Sequence, residues 1–292
     1  MNIYLNNRIV PASDAKVSVF DHGFLYGDGI YETMRAYNGA VFMLDAHIKR
    51  FFRSASMIEL DIMRKRDSIK KAIYKTLSAN SLKEAYVRLT VSRGHGAIGL
   101  DPALCKKPTF IIIAQELRQY PAVYYEKGVS LTIAKTRRNL KEAINPQIKS
   151  LNFLNNILAK IEAKKKNAYE AVMLNAKGYL TEGTICNVFF VAKEKNSEVL
   201  CTPSTDCGIL DGITRNIILD LAKKNGIAIK EGKFTKKNLY NASEVFITNT
   251  TMEVMPVSKI DNKKYASGYI TKLLGTAYKE KVKSYTLRFK DI

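Results

Sequence analysis

The chain has 292 residues, of which 46% are apolar and 25% are charged, and its 47 Lys and Arg against 27 Asp and Glu give a net charge of +20. This apolar fraction predicts a globular protein of one or two domains and excludes a disordered chain. No apolar run approaches the roughly 18 residues that cross a bilayer, so we expect no membrane span. Four dispersed cysteines and three dispersed histidines fit neither a disulfide framework nor a metal site.

The high positive charge suggests a nucleic-acid partner, but the distribution of the lysines argues against one. They are scattered, and their densest runs are not interleaved with aromatic side chains that could stack on bases. We therefore expect solvated helix faces and no nucleic-acid binding. The N-terminal residues have a strand and turn pattern without the features of a secretory signal, which leads us to expect a cytoplasmic protein.

Two hairpins are predicted at the start of the chain, with turns at Asn6-Asn7 and Asn38-Gly39 joining strands 3–5 to 8–10 and 30–37 to 40–43. Asp45 is the expected N-cap of a helix over 46–58, and a second helix is expected over 66–79. Strands follow over 85–93 and 109–115, and the second is almost entirely apolar, which is typical of a central strand.

A polar segment over 117–122 that contains Pro121 predicts a linker between a small domain over 1–116 and a larger one over 123–292. The larger domain has strand patterns at 129–135, 169–175, 186–193 and 243–248, and helix patterns at 152–166, 213–225 and 267–280. This mixture of strands and helices in two unequal halves predicts a two-domain α/β (α+β) fold.

One glycine motif is misleading and another is informative. Residues 94–99 spell GxGxxG, but Pro102 and a further strand follow where a dinucleotide-binding motif needs a helix, so we expect a plain loop. Residues 208–212 instead precede a strongly periodic helix with Thr214 in its first turn. The free N–H groups of that turn could bind a phosphate, and an ordinary helix start is the alternative.

Two strands carry polar groups that share a face. Period-two alternation puts Tyr31, Thr33 and Arg35 on one side of their strand, and Tyr86 and Arg88 on one side of theirs. Phenol, hydroxyl and guanidinium groups suit a carboxylate substrate, because arginine can bind it with two hydrogen bonds. A polar face turned to water is the alternative.

Six segments, taken together and in this order, resemble the class IV (fold type IV) pyridoxal-phosphate aminotransferases over essentially the whole chain. The segments are FDHGFLYGDGIYE at 20–32, HIKR at 47–50, IKSLN at 148–152, TEGT at 181–184, GITR at 212–215 and TNT at 248–250. The family includes branched-chain aminotransferases, D-amino-acid aminotransferases and aminodeoxychorismate lyases. The resemblance implies an enzyme with pyridoxal 5'-phosphate as its cofactor and a homodimer as its assembly.

The resemblance also implies roles for individual residues. Lys149 matches the lysine that forms a Schiff base with the cofactor and then moves the substrate Cα proton, which an amine can do when it is partly deprotonated. Glu182 matches the carboxylate that pairs with the ring nitrogen. Leu210 matches the residue that packs on the cofactor ring. The residues that match the phosphate site are Arg50, Ile213, Thr214 and Thr250.

Substrate-side positions resemble those of branched-chain aminotransferases, with four departures. The matching residues are Tyr31, Arg35, Tyr86 and Arg88, and the pocket is completed by Thr33, Thr251 and Met252. Thr33 replaces a usual glycine and resembles the lyases, while Phe153 replaces a tyrosine. The pairs Ile185-Cys186 and Thr251-Met252 replace Gly-Glu and Ala-Ala. The arginine and histidine that D-amino-acid aminotransferases use have no obvious counterpart after Arg93.

The favoured hypothesis is transamination between a hydrophobic or branched-chain amino acid and 2-oxoglutarate. Two alternatives stay open, an aminodeoxychorismate lyase that forms 4-aminobenzoate and pyruvate, and a transaminase for D-amino acids. Each takes small molecules as its partners and needs no metal.

Overall fold

The computed structural model describes residues 1–194 and 197–289, and these form two compact units. Of the described residues, the first unit contains 1–118, 148–152 and 284–289, and the second contains 119–147, 153–194 and 197–283. The predicted mixed α/β fold in two parts is confirmed.

The first unit is built on a six-stranded antiparallel sheet. Its strands are β1 (Asn2–Leu5), β2 (Arg8–Pro11), β3 (Gly29–Tyr37), β4 (Ala40–Val41), β5 (Ala85–Ser92) and β6 (Thr109–Glu116), and its helices are α1 (His22–Tyr26), α2 (Leu44–Met57) and α3 (Arg66–Ala79). The strand order is β2-β1-β6-β5-β3-β4, so β6 is interior, as its apolar sequence predicts. Both predicted hairpins form.

The core of this unit lies where α2 and α3 pack against the sheet. Phe51 and Ile48 of α2 and Ile69 and Ile73 of α3 are fully or almost fully buried there, together with the apolar face of β5. This burial supplies the hydrophobic stabilisation that holds β3 in place.

One helix start differs from the prediction. Helix α2 begins at Leu44, one residue before Asp45, and its N-cap is Met43 in the left-handed region with φ of 54°. Asp45 lies inside the first turn and makes an ion pair with Lys70 of α3. Its charge therefore interacts with the helix dipole and with α3, and it does not cap the helix. The loop expected at 94–99 does join β5 to β6.

The second unit contains a nine-stranded mixed sheet. Its strands are β7 (Val129–Ile133), β8 (Glu170–Leu174), β9 (Leu180–Gly183), β10 (Asn187–Glu194), β11 (Ser197–Pro203), β12 (Ala228–Gly232), β13 (Glu244–Asn249), β14 (Glu253–Ile260) and β15 (Lys263–Lys264). The order is β12-β11-β10-β13-β14-β7-β8-β9, with β15 beside β14. The helices are α4 (Ala122–Lys127), α5 (Leu154–Lys165), α6 (Ile213–Lys224), α7 (Lys236–Tyr240) and α8 (Tyr269–Leu287), whose last residues from Ser284 belong to the first unit.

The expected domain boundaries meet the two units in different ways. The first segment of the first unit ends at Arg118, inside the predicted linker 117–122. Helix α4 starts at Ala122, which is the last residue of that linker. Residues 148–152, which include Lys149, were expected in the 123–292 domain but are part of the first unit. The reason is that the main chain of residues 148–152 pairs with the start of β3.

Candidate active site

The segment that carries Lys149 runs antiparallel to the start of β3. The amide of Tyr31 donates to the carbonyl oxygen of Lys149, and that of Leu151 donates to Gly29, both at 2.9 Å. A Cβ at Gly29 would lie 2.7 Å from Leu151 Cδ1 and 2.6 Å from the carbonyl oxygen of Val91. Glycine therefore allows the close approach that fixes the backbone of Lys149.

The amino group of Lys149 lies on Tyr31. Its Nζ donates to the Tyr31 hydroxyl at 3.1 Å and is 4.4 Å from the ring centroid. The guanidinium carbon of Arg88 is 4.0 Å from the centroid of the same ring. Two cations therefore contact one electron-rich ring, which holds them by cation–π attraction despite their mutual repulsion.

The polar residues of β3 and β5 are cross-strand neighbours, as the alternation predicts. Thr33 is opposite Arg88, and Arg35 is opposite Tyr86. These four side chains are half-buried, whereas the intervening core residue Met34 is fully buried. Their shared face gives the first unit a surface with two guanidinium groups, two phenols including that of Tyr31, and one hydroxyl.

Behind β3 lies a buried charge cluster that our sequence analysis does not identify. Glu32 is fully buried and accepts from Arg50 Nε at 2.7 Å, from Arg50 Nη2 at 2.8 Å and from His47 Nδ1 at 2.8 Å. Burial opposes ionisation, but the Arg50 charge and hydrogen bonds outweigh it and lower the pKa of Glu32 to about 2. Burial lowers the pKa of His47, so we assign it as neutral with its Nδ1–H donated to Glu32.

In the second unit, Glu182 is held by three donors. Its Oε1 accepts from Arg138 Nε at 3.1 Å, and its Oε2 accepts from the amide of Leu210 at 3.0 Å and from Asn187 Nδ2 at 3.3 Å. The residue is 5% exposed. The ion pair with Arg138 and the two amide donors therefore fix the carboxylate in one orientation, because each oxygen has a directed donor. The sequence analysis assigns no role to Arg138 or Asn187. Neither residue lies in the six segments that resemble the family.

The N-terminus of α6 has the features of an anion site. Its N-cap is Gly212, and Ile213 and Thr214 form the first turn. A Cβ at position 212 would lie 2.0 Å from Asn187 Oδ1, so the glycine lets α6 start directly beside the residue that binds Glu182. The first-turn N–H groups and the helix dipole favour a bound phosphate or carboxylate.

The remaining predicted residues lie in the turn that joins β13 to β14. Thr250 and Thr251 are half-buried and Met252 is fully buried. The Oδ1 atom of Asn249 accepts from the amides of Thr251 at 2.9 Å and Met252 at 2.8 Å. Thr248 is in register with Asn187, and its buried hydroxyl has no hydrogen-bond partner among the described residues.

A family model of the class IV aminotransferases matches residues 29–260. The chain belongs to this family. Class IV aminotransferases use pyridoxal phosphate. Among the described residues, no helix is long and apolar enough to cross a membrane, and no cluster of three or more His, Cys, Asp or Glu could hold a metal.

Its relatives catalyse different reactions. A Methanocaldococcus jannaschii protein, provisionally named a branched-chain-amino-acid aminotransferase, is 44% identical over 283 residues, 96% of each chain. A Bacillus subtilis aminodeoxychorismate lyase is 36% identical over 286 residues, covering 97% of this chain and 95% of the relative. A Bacillus licheniformis D-alanine aminotransferase is 37% identical over 298 residues, 99% of each chain.

Solved structures confirm the predicted fold type. The Escherichia coli branched-chain aminotransferase superposes with a TM-score of 0.90 at 30% identity, covering 96% of this chain and 93% of that one. The chain therefore has the fold type IV architecture of the pyridoxal-phosphate aminotransferases.

The residues present fit this cofactor. Pyridoxal phosphate needs an amine for its aldehyde, a cationic or N–H-rich site for its phosphate and a carboxylate for its ring nitrogen. The first unit has such an amine in Lys149, and the second unit has N–H groups at the start of α6 and a carboxylate in Glu182. The buried, unpartnered hydroxyl of Thr248 lies in register with Asn187 and adds a polar group suited to a ligand.

Acid should weaken the first unit through Glu32. Its pKa falls from 4.5 to about 2 on folding, so its contribution is complete above pH 4.5 and is lost as the pH falls towards 2. At about 1.36 kcal/mol per unit, this loss is of order 3 kcal/mol. When urea unfolding is measured at pH 6 and at pH 2, the free energy of unfolding should decrease less for Glu32→Gln than for wild type. The exposed Glu59→Gln is the control. If the free energy of unfolding of wild type and of Glu32→Gln decreased equally with pH, the lowered pKa of Glu32 would be contradicted.

Replacing Gly212 should disrupt the arrangement of Glu182 and the α6 N-terminus in the second unit. In Gly212→Ala the added methyl must displace Asn187, which supports both Glu182 and Leu210. We expect the dissociation constant for pyridoxal phosphate to rise by about tenfold or more, as for the loss of one to two hydrogen bonds. Fluorescence titration of the apoprotein measures it. The helical Gly275→Ala, whose Cβ meets only Val254 at 4.0 Å, should bind normally.

Proposed function

We propose that the protein transfers the amino group of a branched-chain or other hydrophobic L-amino acid to 2-oxoglutarate. The observation that carries this proposal is the 44% identity with the archaeal relative over 96% of both chains, which is higher than the identity with the lyase. The half-buried Arg35 and Arg88, on the polar face next to Lys149, supply the charge that a substrate carboxylate needs.

Each proposed residue has a separate task. When bound, pyridoxal phosphate supplies the electron sink that makes the substrate Cα proton acidic. Lys149 Nζ would hold the cofactor aldehyde and later carry the Cα proton, and the Tyr31 hydroxyl orients that nitrogen. Glu182 would keep the ring nitrogen protonated, because its carboxylate is held in one orientation by the ion pair with Arg138 and by the Leu210 amide.

The phosphate would be bound by cations and N–H groups. Arg50 is proposed as its cationic ligand, and Glu32 holds that guanidinium in one orientation. The amides of Ile213 and Thr214 at the start of α6, together with Thr250, would donate the remaining hydrogen bonds. Leu210, whose amide binds Glu182, is proposed to pack on the cofactor ring. Thr33, Tyr86, Thr251 and Met252 are proposed to line the substrate pocket.

The proposal predicts turnover of leucine and 2-oxoglutarate to 4-methyl-2-oxopentanoate and glutamate. Because Lys149 is the proposed proton carrier, Lys149→Ala should lower kcat by about a thousandfold or more. The exposed Lys177→Ala should keep wild-type activity. A coupled glutamate assay with a panel of L- and D-amino acids measures this directly. Wild-type turnover of D-amino acids alone would refute the proposal in favour of the D-amino-acid alternative.

The lyase is the second candidate, and Thr33 is the residue that favours it. Thr33 is half-buried opposite Arg88, and the lyase relative is 36% identical. A lyase releases pyruvate and 4-aminobenzoate from aminodeoxychorismate without an amino acceptor. If our proposal is right, Thr33→Gly keeps leucine turnover within about threefold, since the hydroxyl is not needed for transamination. Pyruvate release that is lost in Thr33→Gly and restored in Thr33→Ser would instead establish the lyase.

A homodimer is the assembly that we propose. Helix α5 exposes an apolar stripe at helical spacing, with exposed fractions of 45–69%, formed by Leu154, Ile157, Leu158 and Ile161. Such a contiguous patch is typical of an interface, and the family resemblance supports a second copy as its cover. The cytoplasmic location expected from the sequence stays a prediction.

Light scattering after size-exclusion chromatography tests the assembly. The wild type should have about twice the 32.9 kDa mass of one chain. Leu158→Lys, which places a charge in the stripe, should shift the protein towards the monomer mass, while Met57→Lys on α2 should not. A monomeric wild type, or a Leu158→Lys variant that dimerises as tightly as wild type, would contradict the proposed interface.

A further inference from the structure

Tyr120, just before α4, is hydrogen-bonded to the proposed substrate pocket within the second unit. Its hydroxyl is 3.0 Å from Thr251 Oγ1. Thr251 is one of the four departures from the branched-chain pattern, in which alanine stands at this position. An alanine could not make this bond, so the chain combines a tyrosine with the threonine that can bind it.

The direction of the hydrogen bonds follows from counting hydrogens. Thr251 Oγ1 is 3.1 Å from Asn249 Oδ1, and an amide oxygen only accepts, so the threonine hydroxyl donates its single hydrogen there. Tyr120 must therefore be the donor to Thr251. Hydrogen bonds aligned in this way polarise and strengthen one another.

Asn249 extends the chain of bonds to a second departure from the family pattern. Its Nδ2 donates to the carbonyl oxygen of Ile185 at 3.3 Å, while its Oδ1 also accepts from the amides of Thr251 and Met252. We call Tyr120, Thr251, Asn249 and Ile185 the Tyr120 relay. It connects three segments that are far apart in sequence and ends three residues after Glu182.

Packing around the relay leaves little room for movement. Tyr120 packs on the core of the second unit, and so does Tyr125 of α4, whose hydroxyl donates to the carbonyl oxygen of Met252 at 3.2 Å. Met252 is itself fully buried. The turn after β13 is therefore fixed from one side by two tyrosine hydroxyls and from the other by Asn249.

We infer that Tyr120 is a positioning residue that holds Thr251 at the pocket, with Met252 buried behind it, and thereby sets which donor side chains the enzyme accepts. This inference rests on the proposed function, because the pocket role of Thr251 and Met252 belongs to that proposal. A rigid wall discriminates between large and small side chains, whereas a loosened wall adapts to both. The relay thus provides specificity without a contact between Tyr120 and the substrate.

Hydrogen–deuterium exchange tests the positioning step without any assay of activity. In Tyr120→Phe, peptides that contain the Thr251 and Met252 amides should exchange about five- to tenfold faster, as expected for the loss of one hydrogen bond. Tyr240→Phe is the matched control, because its hydroxyl binds Asp261 outside the relay at 2.7 Å. Unchanged exchange in Tyr120→Phe would overturn the inference, whether or not the protein is a transaminase.

A double-mutant cycle tests the specificity step. For leucine, Tyr120→Phe and Thr251→Ala should each raise KM about fivefold with kcat little changed, and the double variant should be no worse than either one. The preference for leucine over alanine should fall by a similar factor. Additive effects, or an unchanged preference, would overturn the inference. A wild type that turns over no leucine would instead refute the proposed function, and the exchange experiment would still decide the positioning role.

Discussion

The pairing of residues 148–152 with the start of β3 is the constraint that positions Lys149 beside the charged face of the first unit. Two main-chain hydrogen bonds of 2.9 Å, made by the Tyr31 and Leu151 amides, set the backbone position of Lys149. The same register places the lysine amine on the Tyr31 ring and hydroxyl. Because β3 is bonded to β5 over eight residue pairs, the lysine shares its support with Arg88 and Arg35. A long, flexible side chain is thereby held next to the charged face.

Each unit contains a buried carboxylate that is fixed by hydrogen bonds, and the two are fixed by different means. Glu32 lies on the core side of β3 and fixes Arg50, which would otherwise be a buried cation with a large desolvation cost. Glu182 is fixed by Arg138 and by backbone and amide donors, so that its charge is available in one orientation. In each case the cost of burial is offset by directed, charge-assisted hydrogen bonds. These supporting residues carry the precision that the proposed chemistry requires.

Local signals in the sequence were enough to predict many elements. The Asn6-Asn7 turn, the helix over 66–79 and the shared face of Tyr31, Thr33 and Arg35 all follow from turn chemistry or period. Long-range supports were not predictable in this way. The bond from Arg138 to Glu182 joins residues 44 positions apart, and no local pattern marks either one as the other's partner.

Elements whose sequence signals conflict with one another were not predicted, or were predicted to start at the wrong residue. Strand β14 contains Pro256, which reads as a strand breaker, yet Pro256 lies in register with Phe246 of β13 inside the sheet. Asp45 had the chemistry of a cap, but the left-handed Met43 is the N-cap of the helix. Among 47 basic residues, only the resemblance of residues 148–152 to a family motif identified Lys149. Its structural setting beside β3 gives that choice a physical basis.

Lys149 is proposed as the residue that holds the cofactor. Reduction of the pyridoxal-phosphate-loaded protein with sodium borohydride joins the cofactor permanently to the lysine that binds it, and peptide mass spectrometry then locates the added mass. We expect a single modified peptide that contains Lys149, and no stoichiometric modification in Lys149→Ala. Stoichiometric labelling of any other lysine in the wild type would contradict it.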